Sequence, residues 1–133
     1  MPVSCRDLLR QAKEQEASPE AHHRLLAGRA YYACYHRCQD WEKTLPHLGS
    51  VRPETKGVHQ ELIDRLRRPH KSCSPDQVKR SKWLGARLIE LRNLRARADY
   101  QLEDELTEDE AELQVEMAEA VFNRCDWDRS QPR

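Results

Sequence analysis

The sequence predicts an all-α fold, a single domain over 1–133 built as an up-and-down antiparallel bundle of about five helices. Apolar residues recur every three or four positions along three long segments, the period of one helix face. Helix-start signals recur at Ser4, Ser18, Ser74 and Thr107. With four glycines and one phenylalanine, the chain is poor in turn and strand formers, and no segment alternates with the period of a strand.

Each element follows from local chemistry. Ser4 before Asp7 and Leu8-Leu9 starts a short first helix that runs to about residue 17. Ser18-Pro19 puts a capping serine before a proline at the first helical position, where a missing N–H costs nothing. The second helix then runs from 19 to about 45, with Leu26, Ala30, Cys34, Cys38, Trp41 and Leu45 on its apolar stripe. Pro46, Gly49 and Pro53 break it. A third, shorter helix is expected over 54–66. Ser74-Pro75-Asp76-Gln77 is a capping box opening a fourth helix from 75 to about 98, with Leu84, Leu88, Leu91, Leu94 and Ala98 as its stripe. Thr107-Glu108-Asp109-Glu110 opens a fifth, striped by Leu113, Met117, Ala120 and Val121 and ending near Cys125. The polar tail 126–133 is expected to fray.

Composition narrows the class. Hydrophobic residues make up 38% and charged residues 35%, enough for one core beneath an ionic surface. No apolar run approaches the roughly 18 residues that span a bilayer. The first ten residues lack the apolar stretch of a signal peptide, so a cytoplasmic protein without membrane contact is expected. Five irregularly spaced cysteines do not form a disulfide framework. The net charge of zero conceals two blocks. Thirteen Lys/Arg face five acids over 52–97, and twelve acids face one arginine over 99–128. Such blocks suit either an anionic ligand on the basic side or pairing between basic and acidic helices, within the chain or with a second subunit.

Several chemistries are excluded by pattern. There is no Gly-rich phosphate loop, no His-Glu-x-x-His helix and no Gly-x-Ser-x-Gly turn. Cys34, His36 and Cys38 do not match zinc spacing, and both cysteines sit on an apolar stripe, so no metal or cofactor is expected. Two segments remain. In Arg92-Asn93-Leu94-Arg95-Ala96-Arg97-Ala98-Asp99-Tyr100, a helix puts Arg92, Arg95 and Asp99 on one face, with Arg95 and Asp99 at ion-pair distance. That group suits holding a phosphate, stacking on a base, or clamping two helices. In Gly28-Arg29-Ala30-Tyr31-Tyr32-Ala33-Cys34-Tyr35-His36, small residues permit close helix approach and three tyrosines add bulk with polar tips. Arg29 within this apolar helix calls for an acidic partner, and Asp99 is the first candidate, a structural clamp.

These segments resemble small, standalone members of the HEPN superfamily. Arg29 to His36 is similar to that branch's Arg-Ala-Tyr-Tyr-Ala-x-aromatic-His segment, and Gly57-Val58-His59 to the stretch around its next histidine. Arg97-Ala98-Asp99-Tyr100 resembles the end of its Arg-x-x-Ala-Asp-Tyr signature, and Leu106 to Ala111 with Ala118 to Phe122 its last helix. The resemblance covers about 22–122. It implies a helical bundle that often dimerises and acts in toxin–antitoxin or phage-defence modules. Members of the family are RNA-cleaving toxins, RNA- or nucleotide-binding modules, or non-catalytic partners of minimal nucleotidyltransferases, some of which modify a tyrosine near the signature, here Tyr100. The expectation for this chain is RNA or nucleotide binding through Arg92, Arg95 and Arg97.

In nuclease members a histidine follows the motif arginine by a few residues. Here Arg92-Asn93 matches the motif's start, but Arg97 stands at the histidine position and no histidine follows His70. A guanidinium binds phosphate and stabilises negative charge, yet it does not exchange a proton near neutral pH. A metal-independent ribonuclease built on Arg92, Arg95 and Tyr100 would therefore need His36 or His59 brought in by the fold.

Overall fold

A computed structural model describes residues 4–14, 19–101 and 105–130. Five helices follow in order: α1 (Cys5–Glu14), α2 (Pro19–Glu42), α3 (Val58–Arg67), α4 (Pro75–Tyr100) and α5 (Glu108–Ser130). The described residues contain no strand.

The start signals work as reciprocal caps. Asp7 N donates to Ser4 Oγ at 3.1 Å while Ser4 N donates to the Asp7 carboxylate at 3.2 Å. Ser74 and Gln77 exchange the same pair of bonds at 2.8 and 3.2 Å, as do Thr107 and Glu110 at 3.1 and 3.3 Å. Pro19 is the first residue of α2, whereas its expected cap, Ser18, lies outside the described residues.

Boundaries shift where distant groups act. α2 stops at Glu42, before the expected Leu45, because Pro46 cannot continue the ladder. Its end tightens into three-residue turns, Thr44 N to Trp41 O at 2.9 Å and Leu45 N to Glu42 O at 3.1 Å. α3 starts at Val58 rather than 54. The preceding segment is held as a turn, with Thr55 N donating to Arg52 O at 3.0 Å, and Gly57 adopts φ 93°, which side chains beyond Cα disfavour. α4 runs on to Tyr100, since Arg24 Nη1 reaches across from α2 and donates to Ala98 O at 2.8 Å. α5 continues to Ser130, past the expected end near Cys125. Asp126 accepts from Arg6 Nη2 and Arg37 Nη2, both at 2.8 Å, which fastens the segment to α1 and α2.

Contacts give the directions. Arg24 meets Ala98 and Gly28 meets Arg95, so α4 runs antiparallel to α2. Gln114 meets Leu91 and Arg97 meets Glu110, so α5 runs antiparallel to α4. Cys5 lies beside Arg37 and Asp40, which makes α1 antiparallel to α2. These four form the up-and-down bundle. The short α3 lies against α4, with Ser81 Oγ donating to Leu66 O at 2.6 Å at one end and Arg92 reaching Gln60 at the other.

The core contains Tyr31, Cys34, Cys38 and Trp41 of α2, Leu62, Ile63 and Leu66 of α3, Leu84, Leu88 and Leu91 of α4, and Ala118, Val121 and Phe122 of α5. The α5 stripe differs from expectation. Leu113 is 60% exposed and Ala120 is exposed, while Ala111, Gln114, Ala118, Val121 and Cys125 face inward. The polar Gln114 breaks the apolar pattern of the true inner face. Its amide is satisfied there, donating to Leu91 O at 2.9 Å and Ala27 O at 3.2 Å.

No helix among the described residues is long and apolar enough to cross a membrane.

Candidate functional site

α2, α3 and α4 converge on a cluster of aromatic rings, imidazoles and guanidiniums. Tyr31 and Tyr35 face inward from α2 and are buried, while Tyr32 on the adjacent face is 46% exposed. From α3, His59 lies against them. Its ring centroid is 4.3 Å from that of Tyr35 and 5.6 Å from that of Tyr31, and its Nδ1 is 2.8 Å from the Tyr31 hydroxyl. Tyr32 stands edge-on to His36 at 4.8 Å and 6.2 Å from His59.

Arg92 and Arg95 extend from α4, one turn apart and on the same side. With His59, Asn93 and Ala96 they line a pocket of about 270 Å³. The Arg95 guanidinium lies 5.6 Å over the Tyr31 ring, a cation–π contact, and its Nε donates to Asp99 Oδ2 at 3.0 Å. Arg92 is held differently. Its Nη1 donates to Gln60 Oε1 at 2.5 Å, and Gln60 Nε2 donates in turn to Asp64 Oδ1 at 2.9 Å. Asp64 therefore fixes which end of the Gln60 amide meets Arg92, and the direct partner of Arg92 is a neutral oxygen rather than a carboxylate.

Asp64 anchors this corner. It is buried and accepts from Arg52 N and Nε, from Thr55 Oγ1 and from Gln60. Burial alone would raise its pKa, but these donors together hold its carboxyl well below the usual range. The same residue thus ties the 52–57 turn to α3 and orients Gln60 toward the arginines.

Protonation states follow from the surroundings. Burial pushes the Tyr31 hydroxyl up to about 12 despite the pull of Arg92 and Arg95 in the other direction, so it stays a neutral phenol. His59 shifts below its ordinary value, first through burial and then through the positive fields of Arg95 and Arg92. Its imidazole is neutral at pH 7, with one ring nitrogen able to accept a proton. When Nδ1–H donates to the Tyr31 oxygen, Nε2 is that acceptor; the opposite bond gives the opposite tautomer.

Comparison with protein-family models, curated proteins and solved structures returns no match.

The fold separates the residues singled out in the sequence. Arg92 and Arg95 share a pocket, whereas Arg97 projects to the other side of α4 and pairs with Glu110 on α5. Arg29 is exposed rather than enclosed, and it lines a groove with Asp99, whose carboxylate holds Arg95. The Tyr100 side chain lies outside the described residues. Cys34 and Cys38 are fully buried in the core, with Cys34 Sγ 3.7 Å from Ala118 O. His36 joins the edge of the cluster through Tyr32 and Tyr35.

Gln60 and Asp64 gave no signal as site residues in the sequence. Gln60 and Asp64 share a face of α3 with His59 close by, but nothing in local spacing links residue 60 to residue 92. That link is tertiary.

Proposed function

We propose that this chain is a HEPN-type protein that binds RNA or a nucleotide through Arg92 and Arg95, acting in a toxin–antitoxin or phage-defence module. The observation that carries the reading is the pocket formed by Arg92, Arg95 and His59. Arg92 brings to it a guanidinium whose fixed hydrogen bond goes to a neutral amide, so its charge is left for an anion. Neighbouring rings supply the flat surfaces on which single-stranded bases stack. In Arg92→Ala, single-stranded RNA affinity is expected to fall about tenfold at low salt, measured by fluorescence anisotropy. Wild-type affinity in that variant would remove the assignment.

A second reading, metal-independent RNA cleavage, draws on His59. A neutral imidazole beside two guanidiniums has the parts for transfer onto a neighbouring phosphate. The imidazole would take the proton from a ribose 2′-hydroxyl as its oxygen attacks phosphorus. The guanidiniums would offset charge on the phosphoryl oxygens while the P–O5′ bond breaks and the departing 5′-oxygen takes a proton from water. This reading expects RNA cleavage in excess chelator, reduced at least a hundredfold in His59→Ala. Cleavage that survives that substitution would exclude His59 as the base.

A further inference from the structure

We propose that the groove between the first half of α2 and the C-terminal end of α4 is a base-binding subsite selective for guanine, with Asp99 reading the base edge and Tyr32 stacking on its face. The inference rests on the arginine reading above and names the ligand class more closely. The groove has a volume of about 480 Å³, within the range of small-molecule sites, and is lined by Leu25, Gly28, Arg29, Tyr32, Arg95 and Asp99 with Arg24. Arg24 is engaged with the α4 carbonyls and forms an end wall.

Arg95 lines both this groove and the anion pocket. The Tyr32 and His59 rings are 6.2 Å apart, so one nucleotide can put its phosphate at Arg92 and Arg95 and its base against Tyr32. The stacking surface is prepared in advance. Tyr32 is held edge-on by His36 at 4.8 Å, yet remains 46% exposed. Gly28 contributes no side chain. A Cβ there would stand 4.0 Å from both Asp99 Oδ1 and Arg95 Cγ, so its absence leaves space directly beside the carboxylate.

The carboxylate sets the preference. Asp99 offers acceptors only, with Oδ2 engaged by Arg95 Nε and Oδ1 turned toward the Gly28 side. Guanine presents two adjacent N–H donors, N1–H and N2–H, to such a group. Adenine and cytosine set a ring acceptor beside their amino donor, and uracil flanks its one N–H with carbonyl oxygens. Each of these three would bring a lone pair against a carboxylate oxygen.

The test uses four pentauridylates whose central residue is U, G, A or C, so that phosphate number is constant. Anisotropy titrations at low salt are expected to show the guanine oligomer bound about tenfold more tightly than the other three. Asp99→Asn keeps an oxygen for Arg95 but replaces the second acceptor with a donor, and is expected to abolish the preference. Tyr32→Ala is expected to weaken the guanine oligomer about tenfold. Gly28→Leu, which improves helix propensity and fills the groove, is expected to do the same. Four oligomers bound alike, with binding lost in Arg92→Ala, would overturn the guanine subsite and leave the arginine reading standing. A guanine preference that persists in Asp99→Asn would overturn the assignment to Asp99. No binding by any oligomer would overturn the arginine reading and the subsite with it.

Discussion

His59 reports on the charges around it, because its imidazole lies between a phenol and two guanidiniums. Burial lowers its pKa first, then Arg95, then Arg92. Truncating Arg95→Ala removes the larger of the two positive fields and is expected to move the His59 titration upward toward 6.5, followed by imidazole NMR signals. An unchanged or lower value would mean that Arg95 does not act on the ring. The sign for stability follows from linkage. The unfolded chain binds the proton more readily than the folded one. The contribution of the neutral ring is therefore complete above about 6.5 and lost as pH falls through the folded-state value. Sequence spacing foretold the Arg95–Asp99 pair, because residues four apart meet on any helix. It did not foretell the joining of His59 to Arg92, since thirty-three positions separate them and only the packing of α3 on α4 closes the distance.

At the scale of elements, the capped starts of α1, α4 and α5 were readable, whereas the start of α3 and the ends of α4 and α5 were not, for a physical reason. A start is capped by residues three positions away, as at Ser4, Ser74 and Thr107, so the information is local. The end of α4 is satisfied by Arg24 and that of α5 is fastened by Arg6 and Arg37, all remote in sequence. The inner face of α5 was hidden because Gln114 sits within it, a polar side chain bonded to helix carbonyls rather than an apolar one. α3 begins late because Asp64 gathers the 52–57 turn onto it. Asp64→Ala deletes several charge-assisted hydrogen bonds at once but leaves Arg52, which is half-exposed, free to be solvated. The absence of a stranded buried cation places the expected cost near about 2 to 3 kcal/mol, below that of breaking a fully enclosed pair. Urea denaturation measures it, and a loss under about 0.5 kcal/mol would mean that the turn does not depend on this carboxylate. The low pKa of Asp64 sets its own window. The stabilisation is full above about 3.8 and is lost as pH falls from there through the folded-state value.

For the whole molecule, the two charge blocks admit either a basic face for an anion or internal pairing, and the structure shows extensive internal pairing. Arg95–Asp99 and Arg97–Glu110 join the basic block to the acidic one. Arg52 with Asp64, Arg65 with Glu42, Arg80 with Asp76 and Arg87 with Glu90 pair further cations of the basic block. Of the eight basic residues by which this block exceeds its acids, Arg65, Arg95 and Arg97 are matched by acids outside it, while Arg52, Arg80 and Arg87 pair with acids inside it. This has a measurable consequence for RNA binding. Each phosphate contact with a single strand contributes about −0.7 to the slope of log affinity against log salt. Contacts limited to Arg92 and Arg95 give an expected slope of about −1.4, falling to about −0.7 in Arg92→Ala. Had the whole basic block engaged the strand, the slope would be several times steeper and nearly indifferent to one substitution. Titrations across a range of salt concentrations separate the two cases. A steep slope that survives Arg92→Ala would move the binding surface away from the α3–α4 pocket and onto the broader basic side of the bundle.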